Sequence, residues 1–358
     1  MTTAVSPFLR ACRREPTAVT PIWMMRQAGR FMPEYRAVRS RLSFLELCKH
    51  PEAAAEVTLQ PVTRLGVDAA ILFADILLLL EPLGLGLRFA AGDGPVIDRP
   101  IRSPADVERL PEVDAADRLA YVLETVRLVK RELAGRVPLI GFAGAPFTLA
   151  SYAIEGGGSR NYLRTKGLMY AEPVVWHGLM ERLATLVADY LNGQVAAGAD
   201  AAQVFDSWVG QLAPDDYRAF VLPHMQTLFR RLTPGVPVIH FGTGTAGILE
   251  LMREAGGDVI GLDWRIPLAD GWRRVGFDRA VQGNLDPAAL LAPPSVIREK
   301  VREILAQAAA RPGHVFNLGH GILPETPVDH ARLVVDLVHE LSARDLPAFE
   351  GPAAGIAG

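Results

Sequence analysis

The chain has 358 residues, of which 49% are hydrophobic and 22% charged, and its formal net charge is -3. This is the composition of a globular protein with enough apolar material for a large core. The slight acidic excess argues against nucleic-acid and membrane partners, because such proteins usually carry basic patches. The two cysteines, Cys12 and Cys48, show no CxxC or HxC spacing, which excludes a disulfide framework and a thiolate zinc site.

Neither a signal peptide nor a membrane span is predicted. The first residues lack the charged and apolar regions of a signal peptide. The most apolar stretch, 65–87, is interrupted by charged residues such as Asp68 and Glu81 and by Pro82, so it is too broken to cross a membrane. The expectation is therefore a cytoplasmic enzyme.

Eight short apolar runs recur along the chain, and each ends at a glycine or a polar residue. They are nearly continuous rather than alternating, as expected for parallel strands buried on both faces. The runs span 20–25, 68–74, 137–143, 200–206, 236–242, 258–264, 280–284 and 314–319. Helical patterns separate most of them. This alternation predicts an α/β protein with a single (β/α)8 TIM barrel over residues 1–358, and an open doubly wound sheet is the structural alternative.

Three segments fall outside the repeat. Residues 1–19 form an N-terminal extension, and residues 346–358 are expected to be a mobile tail. Residues 86–104, after the second run, predict a hairpin excursion that turns at Gly92, Asp93 and Gly94.

Polar residues follow the ends of these runs. Active sites of TIM barrels lie at the carboxyl ends of the strands. The residues at or after the eight ends include Arg26, Gln27, Gly29, Arg30, Asp75, Phe205, Asp206, Ser207, His240, Asp263, Gln282, Asn284, Asn317 and His320. Such a ring predicts a small-molecule site on the barrel axis.

The segment MRQAGRFMPEYR (25–36) places Arg26 and Arg30 on either side of Gly29. We interpret Gly29 as permitting a turn that a β-carbon would disfavour. Arginine suits bidentate recognition of carboxylate or phosphate, and backbone N–H groups from Gln27 to Arg30 add a further anion nest. A solvated helix surface is the interpretation for the other arginines nearby, Arg36, Arg39 and Arg41.

Asp75 places one carboxylate inside a long hydrophobic run. A charge there is costly unless it is paired or used. One interpretation is an ion pair or a helix N-cap, and the other is an anion in an apolar cleft that receives a cationic or N–H-rich ligand. Together with the arginines, Asp75 indicates a substrate with anionic edges and a donor-rich centre.

Three further polar residues keep two interpretations each. His320, in a glycine-flanked loop, either caps backbone groups or contacts the ligand. Tyr152 and Ser207 lie beside apolar strands and either satisfy backbone groups or reach the site.

The glycines of FGTGTAGIL form a pattern Gly242-x-Gly244-x-x-Gly247, and Asp263 follows at the end of the next run. This fits a dinucleotide-binding fingerprint. The pattern lies late in the chain without a second mononucleotide half, so a glycine turn in a barrel loop is the preferred interpretation.

Long motifs then indicate a family. PIWMMRQAGRFMPEYR (21–36) closely resembles the first signature of the uroporphyrinogen decarboxylase family, and GFAGAPFTLASYAIEGGGSRNY (141–162) resembles the second. FADIL (73–77), FDSWVG (205–210) and NLGHGILPETP (317–327) resemble further family segments in the same order. Departures are mild and fall at Met24, Met25 and the FM pair after Arg30.

The resemblance implies a (β/α)8 barrel, usually a homodimer, that uses no metal or organic cofactor. It implies removal of carbon dioxide from the four acetate side chains of uroporphyrinogen III, giving coproporphyrinogen III in heme biosynthesis. Catalytic roles are implied for Asp75, Arg26 and Arg30. Substrate contacts are expected at Arg26, Gln27, Ala28, Gly29, Arg30, Asp75, Tyr152, Phe205, Ser207 and His320.

Three other functions are weighed against this one. A zinc-dependent corrinoid methyltransferase uses a related barrel but needs thiolate-rich ligands, which two isolated cysteines do not supply. A nicotinamide dehydrogenase would depend on the glycines at 242–247. A non-catalytic porphyrin-binding protein would bind the same ligand and release no carbon dioxide.

Overall fold

The computed structural model describes residues 6–90 and 94–345. Strands in this part are β1 (Ala70–Ile71), β2 (Leu87–Ala90), β3 (Gly94–Ile97), β4 (Leu139–Gly144), β5 (Ala201–Asp206), β6 (Val238–Gly242), β7 (Val259–Gly261), β8 (Ala280–Gln282) and β9 (His314–Val315). Its α-helices are α1 (Pro7–Cys12), α2 (Pro33–Arg39), α3 (Phe44–Cys48), α4 (Pro51–Leu65), α5 (Pro104–Glu108), α6 (Ala115–Arg118), α7 (Ala120–Leu133), α8 (Pro146–Glu155), α9 (Leu163–Ala171), α10 (Pro173–Ala197), α11 (Pro214–Phe220), α12 (Leu222–Arg231), α13 (Leu249–Ala255), α14 (Leu268–Val275), α15 (Pro294–Ala308) and α16 (Val328–Ser342). Short 3₁₀ turns lie at Leu78–Leu80, Val209–Gln211, Thr245–Gly247 and Pro287–Leu291.

Seven strands form one curled parallel sheet in the order β1-β4-β5-β6-β7-β8-β9. Each strand coincides with one of the apolar runs from 68–74 onward, although β4 extends one residue beyond the run 137–143, so the prediction of an α/β fold with buried parallel strands is confirmed for these seven. The spatial order follows the chain order without the reversal that a doubly wound sheet shows. Connecting helices therefore return the chain to the same end of the sheet each time.

The first predicted strand, 20–25, is not a regular strand. Ile22 forms an isolated parallel bridge to Phe316, whose N–H donates to the Pro21 carbonyl at 2.8 Å. On its other side, the N–H of Asp68 donates to the Ile22 carbonyl at 2.8 Å. The segment thus contacts both edges of the seven-stranded sheet.

Side chains explain why this segment lacks a regular ladder. The N–H of Ile22 donates to Asp68 Oδ2 at 2.7 Å, and that of Met25 donates to Asn317 Oδ1 at 3.1 Å. Because remote carboxylate and amide oxygens satisfy these donors, neighbouring backbone carbonyls do not take them up.

The helices cover the sheet with one apolar face each. In α7, Val122, Val126, Val129 and Leu133 are buried at helical spacing. The longest helix, α10, buries Trp176 and Tyr190 against its neighbours. This packing holds the sheet's carboxyl edge, from which the site is built.

The excursion after the second apolar run forms an antiparallel pair of β2 and β3, with Leu87 opposite Ile97. Its predicted turn residues Gly92 and Asp93 lie outside the described residues, as does the predicted tail 346–358. The N-terminal extension contains α1. Of the helices in the described ranges, none has the length and apolar character needed to cross a membrane.

Candidate active site

A cavity of about 770 Å³ opens at the carboxyl edge of the curled sheet. Its wall is formed in part by four strands, β1, β4, β5 and β6. The loop after residue 25 and the loop after β9 also contribute to it. Nine of the ten residues expected to contact substrate line it: Arg26, Ala28, Gly29, Arg30, Asp75, Tyr152, Phe205, Ser207 and His320. The fold therefore gathers side chains that are up to about three hundred residues apart in the chain.

Gln27 is the exception, because it does not line the cavity. Its side chain is fully buried. Its amide oxygen accepts from the N–H of Met24 at 3.0 Å, and its amide nitrogen donates to the Ala69 carbonyl at 3.0 Å. The Gln27 side chain therefore connects the loop that carries Arg26 and Arg30, the arginine loop, to the residue before β1. It does not face the cavity.

The backbone of the arginine loop also differs from the sequence interpretation. Arg26, not Gly29, has the left-handed conformation, with φ of 63°. Gly29 is needed for another reason, since a β-carbon there would lie 2.6 Å from the Arg26 carbonyl oxygen. A non-glycine residue in this conformation costs about 1–3 kcal/mol.

Gly321 leaves room for the Arg26 side chain. A β-carbon on Gly321 would collide with Cδ of Arg26 and lie 2.8 Å from its Cγ. The loop after β9 and the loop after residue 25 are thus fitted to each other around one arginine.

Arg39 also lines the cavity, which the sequence interpretation as a solvated helix surface missed. It ends α2, where Tyr35 lies one turn earlier and lines the same cavity. Arg36 instead donates to the carbonyls of Arg30 and Phe31 at 2.9 and 3.1 Å. The shared helical face of Tyr35 and Arg39 is the sequence signal that could have identified Arg39.

Asp75 lies on the cavity wall just after β1. Within the described ranges, the hydrogen bond to its carboxylate comes from the N–H of Leu77, which donates to Oδ1 at 2.8 Å. Burial among apolar residues raises the pKa of Asp75 to about 6, while the Leu77 N–H and the positive charge of Arg26 oppose that rise. The carboxylate is ionised at neutral pH and retains an oxygen for a ligand.

The part of the cavity formed by β4, β5 and β6 is aromatic. The ring of Phe205 meets those of Phe142 and Phe241 edge-on, with centroids 5.5 and 6.0 Å apart. All three rings line the cavity. An apolar floor of this kind strengthens any electrostatic interaction made above it.

Tyr152 and His320 are neutral polar groups on this wall. Burial raises the pKa of the Tyr152 hydroxyl above its ordinary value, so it remains a donor. Burial and the charges of Arg26 and Arg265 lower the pKa of His320 to about 4. Tyr152 packs against Trp208 with ring centroids 5.9 Å apart, which fixes its orientation.

Asp206, at the end of β5, is a fully buried carboxylate that does not line the cavity. Thr148 donates to its Oδ1 at 3.1 Å, while Oδ2 has no hydrogen-bond partner within residues 6–90 and 94–345. Burial raises the pKa of Asp206 to about 7.

The glycine pattern at 242–247 serves a loop between β6 and α13. The N–H of Gly244 donates to Asp263 Oδ2, and the Arg265 guanidinium binds the same oxygen at 2.7 Å. The backbone N–H of Arg265 donates to Asp263 Oδ1 at 2.9 Å. The carboxylate that a dinucleotide fingerprint would offer to a ribose is therefore already engaged.

Cys12 and Cys48 are both buried free thiols, and neither lines the cavity. Burial raises the pKa of each thiol well above its ordinary value. In the described ranges, no three histidine, cysteine, aspartate or glutamate residues come together in a way that could hold a metal ion.

A curled parallel sheet with arginines and the half-buried carboxylate Asp75 on a cavity at its carboxyl edge is typical of an enzyme that binds a small, anionic molecule. The family model described as uroporphyrinogen decarboxylase matches residues 3–341. The chain belongs to the uroporphyrinogen decarboxylase family, whose members are carboxy-lyases.

Two relatives agree with this assignment. The chain is 60% identical over 337 residues to the uroporphyrinogen decarboxylase of Carboxydothermus hydrogenoformans, covering 94% of this chain and 96% of the relative. It is 61% identical over 338 residues to that of Chloroflexus aurantiacus, covering 92% and 94%. A solved methyltransferase from Methanosarcina mazei has a TM-score of 0.78 at 21% identity, covering 93% of this chain and 97% of its own, which shows a shared fold alone.

Proposed function

We propose that this chain removes carbon dioxide from the four acetate side chains of uroporphyrinogen III and so produces coproporphyrinogen III. The observation that carries the proposal is Asp75, an ionised carboxylate on the apolar wall of a cavity that arginines also line. The substrate presents the matching features, because it has carboxylates around its edge and four pyrrole N–H groups at its centre.

Asp75 is proposed to accept the central N–H groups. Protonation of a pyrrole α-carbon turns that ring into an imine-like cation. The bond between the acetate methylene and its carboxylate then breaks, carbon dioxide leaves, and the electron pair moves into the cationic ring. A proton added to the resulting methylene, with loss of the α-proton, gives the methyl group. The substrate thus supplies its own electron sink, and the net reaction consumes one proton for each carbon dioxide released.

The role of Asp75 is electrostatic. A fixed negative charge close to the cationic ring stabilises the intermediate more than the neutral substrate, and it acts more strongly over an apolar floor than in water. The backbone hydrogen bond from Leu77 at 2.8 Å holds one oxygen and leaves the other for the ligand.

Arg26 and Arg30 are proposed to hold substrate carboxylates and to place the reacting acetate. The left-handed backbone of Arg26 and its fit against Gly321 support a fixed orientation for that side chain. Guanidinium is a poor acid at neutral pH, so positioning rather than proton delivery is the role assigned to both.

Neutral groups complete the proposed site. Tyr152, Ser207 and His320 would donate hydrogen bonds to substrate carboxylates, since all three line the cavity. Phe205 would pack against the macrocycle. No metal or organic cofactor enters the proposed reaction.

The fold is proposed to be a closed (β/α)8 barrel that makes up a single domain. In this barrel the 20–25 segment occupies the eighth strand position. Support comes from the hydrogen bonds that join this segment to Asp68 beside β1 and to Phe316 beside β9. These bonds bring the two edges of the seven-stranded sheet to one segment.

A homodimer is proposed, formed through an apolar face on α9 and the start of α10. Leu163, Tyr170 and Val174 expose 73%, 54% and 85% of their surface there. Val174→Asp should shift the protein from dimer to monomer in light scattering, whereas Val296→Asp, at an exposed site on α15, should not. A monomeric wild-type protein, or a dimer that survives Val174→Asp, would contradict this interface.

A cytoplasmic location is proposed as well. The two buried, unpaired thiols suit a compartment that keeps cysteines reduced. Cell fractionation with an antibody would test it.

Anaerobic incubation of the chelator-treated protein with uroporphyrinogen III tests the proposed activity. Oxidation and chromatography should then show hepta-, hexa-, penta- and tetracarboxylate products in succession without added nucleotide. An unchanged octacarboxylate in the presence of folded protein would refute the proposal, and binding without release of carbon dioxide would identify a porphyrin carrier.

A further inference from the structure

The arginines that line the cavity all belong to one sector of its wall. Arg26, Arg30 and Arg39 lie in a single stretch of chain that follows the 20–25 segment, beside β1 and β9. The wall formed by β4, β5 and β6 carries rings such as Phe142 and Phe205 instead. A macrocycle with carboxylates around its whole edge would gain binding energy from a cation elsewhere on the rim.

Arg265 is a cation in the loop just after β7, and it does not itself line the cavity. In the sheet, β8 and β9 separate β7 from the 20–25 segment. The Arg265 guanidinium carbon lies 3.9 Å from the centroid of the Trp264 ring, and Nη1 binds Asp263 Oδ2 at 2.7 Å. The Arg265 side chain is nevertheless 49% exposed. A stacked and paired arginine of this kind is already oriented, so less freedom is lost when it binds an anion.

Trp264 connects Arg265 to the cavity. Its ring meets the His320 imidazole edge-on, with centroids 6.1 Å apart. A β-carbon on Gly319 would collide with the backbone nitrogen of Trp264, so the loop after β9 packs closely on the loop after β7. His320 lines the cavity, and the charge of Arg265 helps to lower its pKa.

We propose that Arg265 binds one of the four carboxylates that the product retains, at the rim of the cavity beyond His320. The retained carboxylates belong to the longer side chains of the macrocycle and reach furthest from the Asp75 centre. Arg265 would therefore set substrate affinity without taking part in the chemical step. The inference rests on the proposed function.

Steady-state kinetics of anaerobic decarboxylation test the inference with Arg265→Ala and Arg265→Gln. The glutamine removes the charge and the stacked guanidinium but keeps a polar donor near Asp263, so it remains informative if the alanine variant is unstable. We expect each variant to raise KM about tenfold with kcat within about twofold of wild type, because a hydrogen-bonded ion pair at a rim contributes to binding alone. The KM of the variants should also rise less steeply with added salt than that of wild type.

Two controls make the test specific. Arg273→Ala removes an exposed arginine from α14 that pairs with Asp270, and it should leave KM unchanged. The Arg265 variants should show the same fold-change in KM for the octacarboxylate and pentacarboxylate substrates, since both carry the retained groups. A wild-type KM in folded Arg265→Gln, or an effect confined to the octacarboxylate, would overturn the inference. A wild-type protein that releases no carbon dioxide would instead refute the proposed function.

Discussion

Two regions of the molecule each hold a carboxylate whose pKa is raised, and comparing them separates function from burial. Asp75 follows β1 and Asp206 ends β5, and burial raises the pKa of each, to about 6 and about 7. Asp75 opens onto the cavity, where Arg26 is near, whereas Asp206 is sealed behind the wall against Thr148. A raised pKa therefore marks burial in both regions, and access to the cavity distinguishes the carboxylate that meets a ligand.

Matched substitutions should separate the two carboxylates most strongly in activity. Asp75→Asn keeps the shape but removes the charge that faces the substrate, so kcat should fall by about 10³-fold. Asp206→Asn should leave kcat within about fivefold of wild type. Anaerobic assays on both folded variants measure this. An equal loss of kcat in the two variants, or near-wild-type turnover in Asp75→Asn, would contradict the proposed difference between the two carboxylates.

A steric change next to Arg26 tests whether the position of this side chain in the cavity matters for catalysis. Gly321→Ala places a β-carbon against the Arg26 side chain, and displacement of that guanidinium should lower kcat/KM by about 10- to 100-fold. Gly247→Ala is the control, because a β-carbon there meets nothing within 4 Å. If Gly321→Ala matches Gly247→Ala in kcat/KM, the fitted loops are irrelevant to catalysis.

The two regions should also differ in stability, by smaller amounts. A folded-state pKa above the ordinary value of a carboxyl means that ionisation costs folding free energy. This cost is absent below pH 4 and complete above the folded-state pKa. At pH 8, Asn should raise the free energy of unfolding by about 2 kcal/mol at position 206 and about 1 kcal/mol at position 75, where the cavity admits water.

Denaturant unfolding of both variants and wild type at pH 5 and pH 8 measures these gains. The gain should shrink at pH 5 for both. If the free energy of unfolding of a variant depends on pH as strongly as that of wild type, the substituted carboxylate is not the group that titrates.

Local patterns predict most of the strands, because a strand buried on both faces needs an apolar run wherever it lies. The 20–25 segment shows where this reasoning stops. Its N–H groups are taken by Asp68 and Asn317, which are 46 and 292 residues away. The apolar run is present, but the reason that no regular ladder forms lies in distant side chains.

The candidate site shows the same limit. The long sequence motifs identify Arg26, Asp75 and His320 as candidate site residues, and the fold places all three on one cavity. The motif alone cannot tell that Gln27 turns inward to Ala69 or that Arg39 turns toward the cavity. Both outcomes depend on how α2 and its preceding loop pack on the sheet.

The pH dependence of kcat/KM tests most directly the claim that catalysis depends on an ionised Asp75. The active form is the carboxylate, so activity should be full above pH 7 and fall by about tenfold per unit below a pKa near 6. Asp75→Glu retains a carboxylate in an altered position. In this variant the pKa at which kcat/KM begins to fall should shift. A profile that stays flat down to the range of the free substrate's own carboxyl groups, and is the same in Asp75→Glu, would contradict the account.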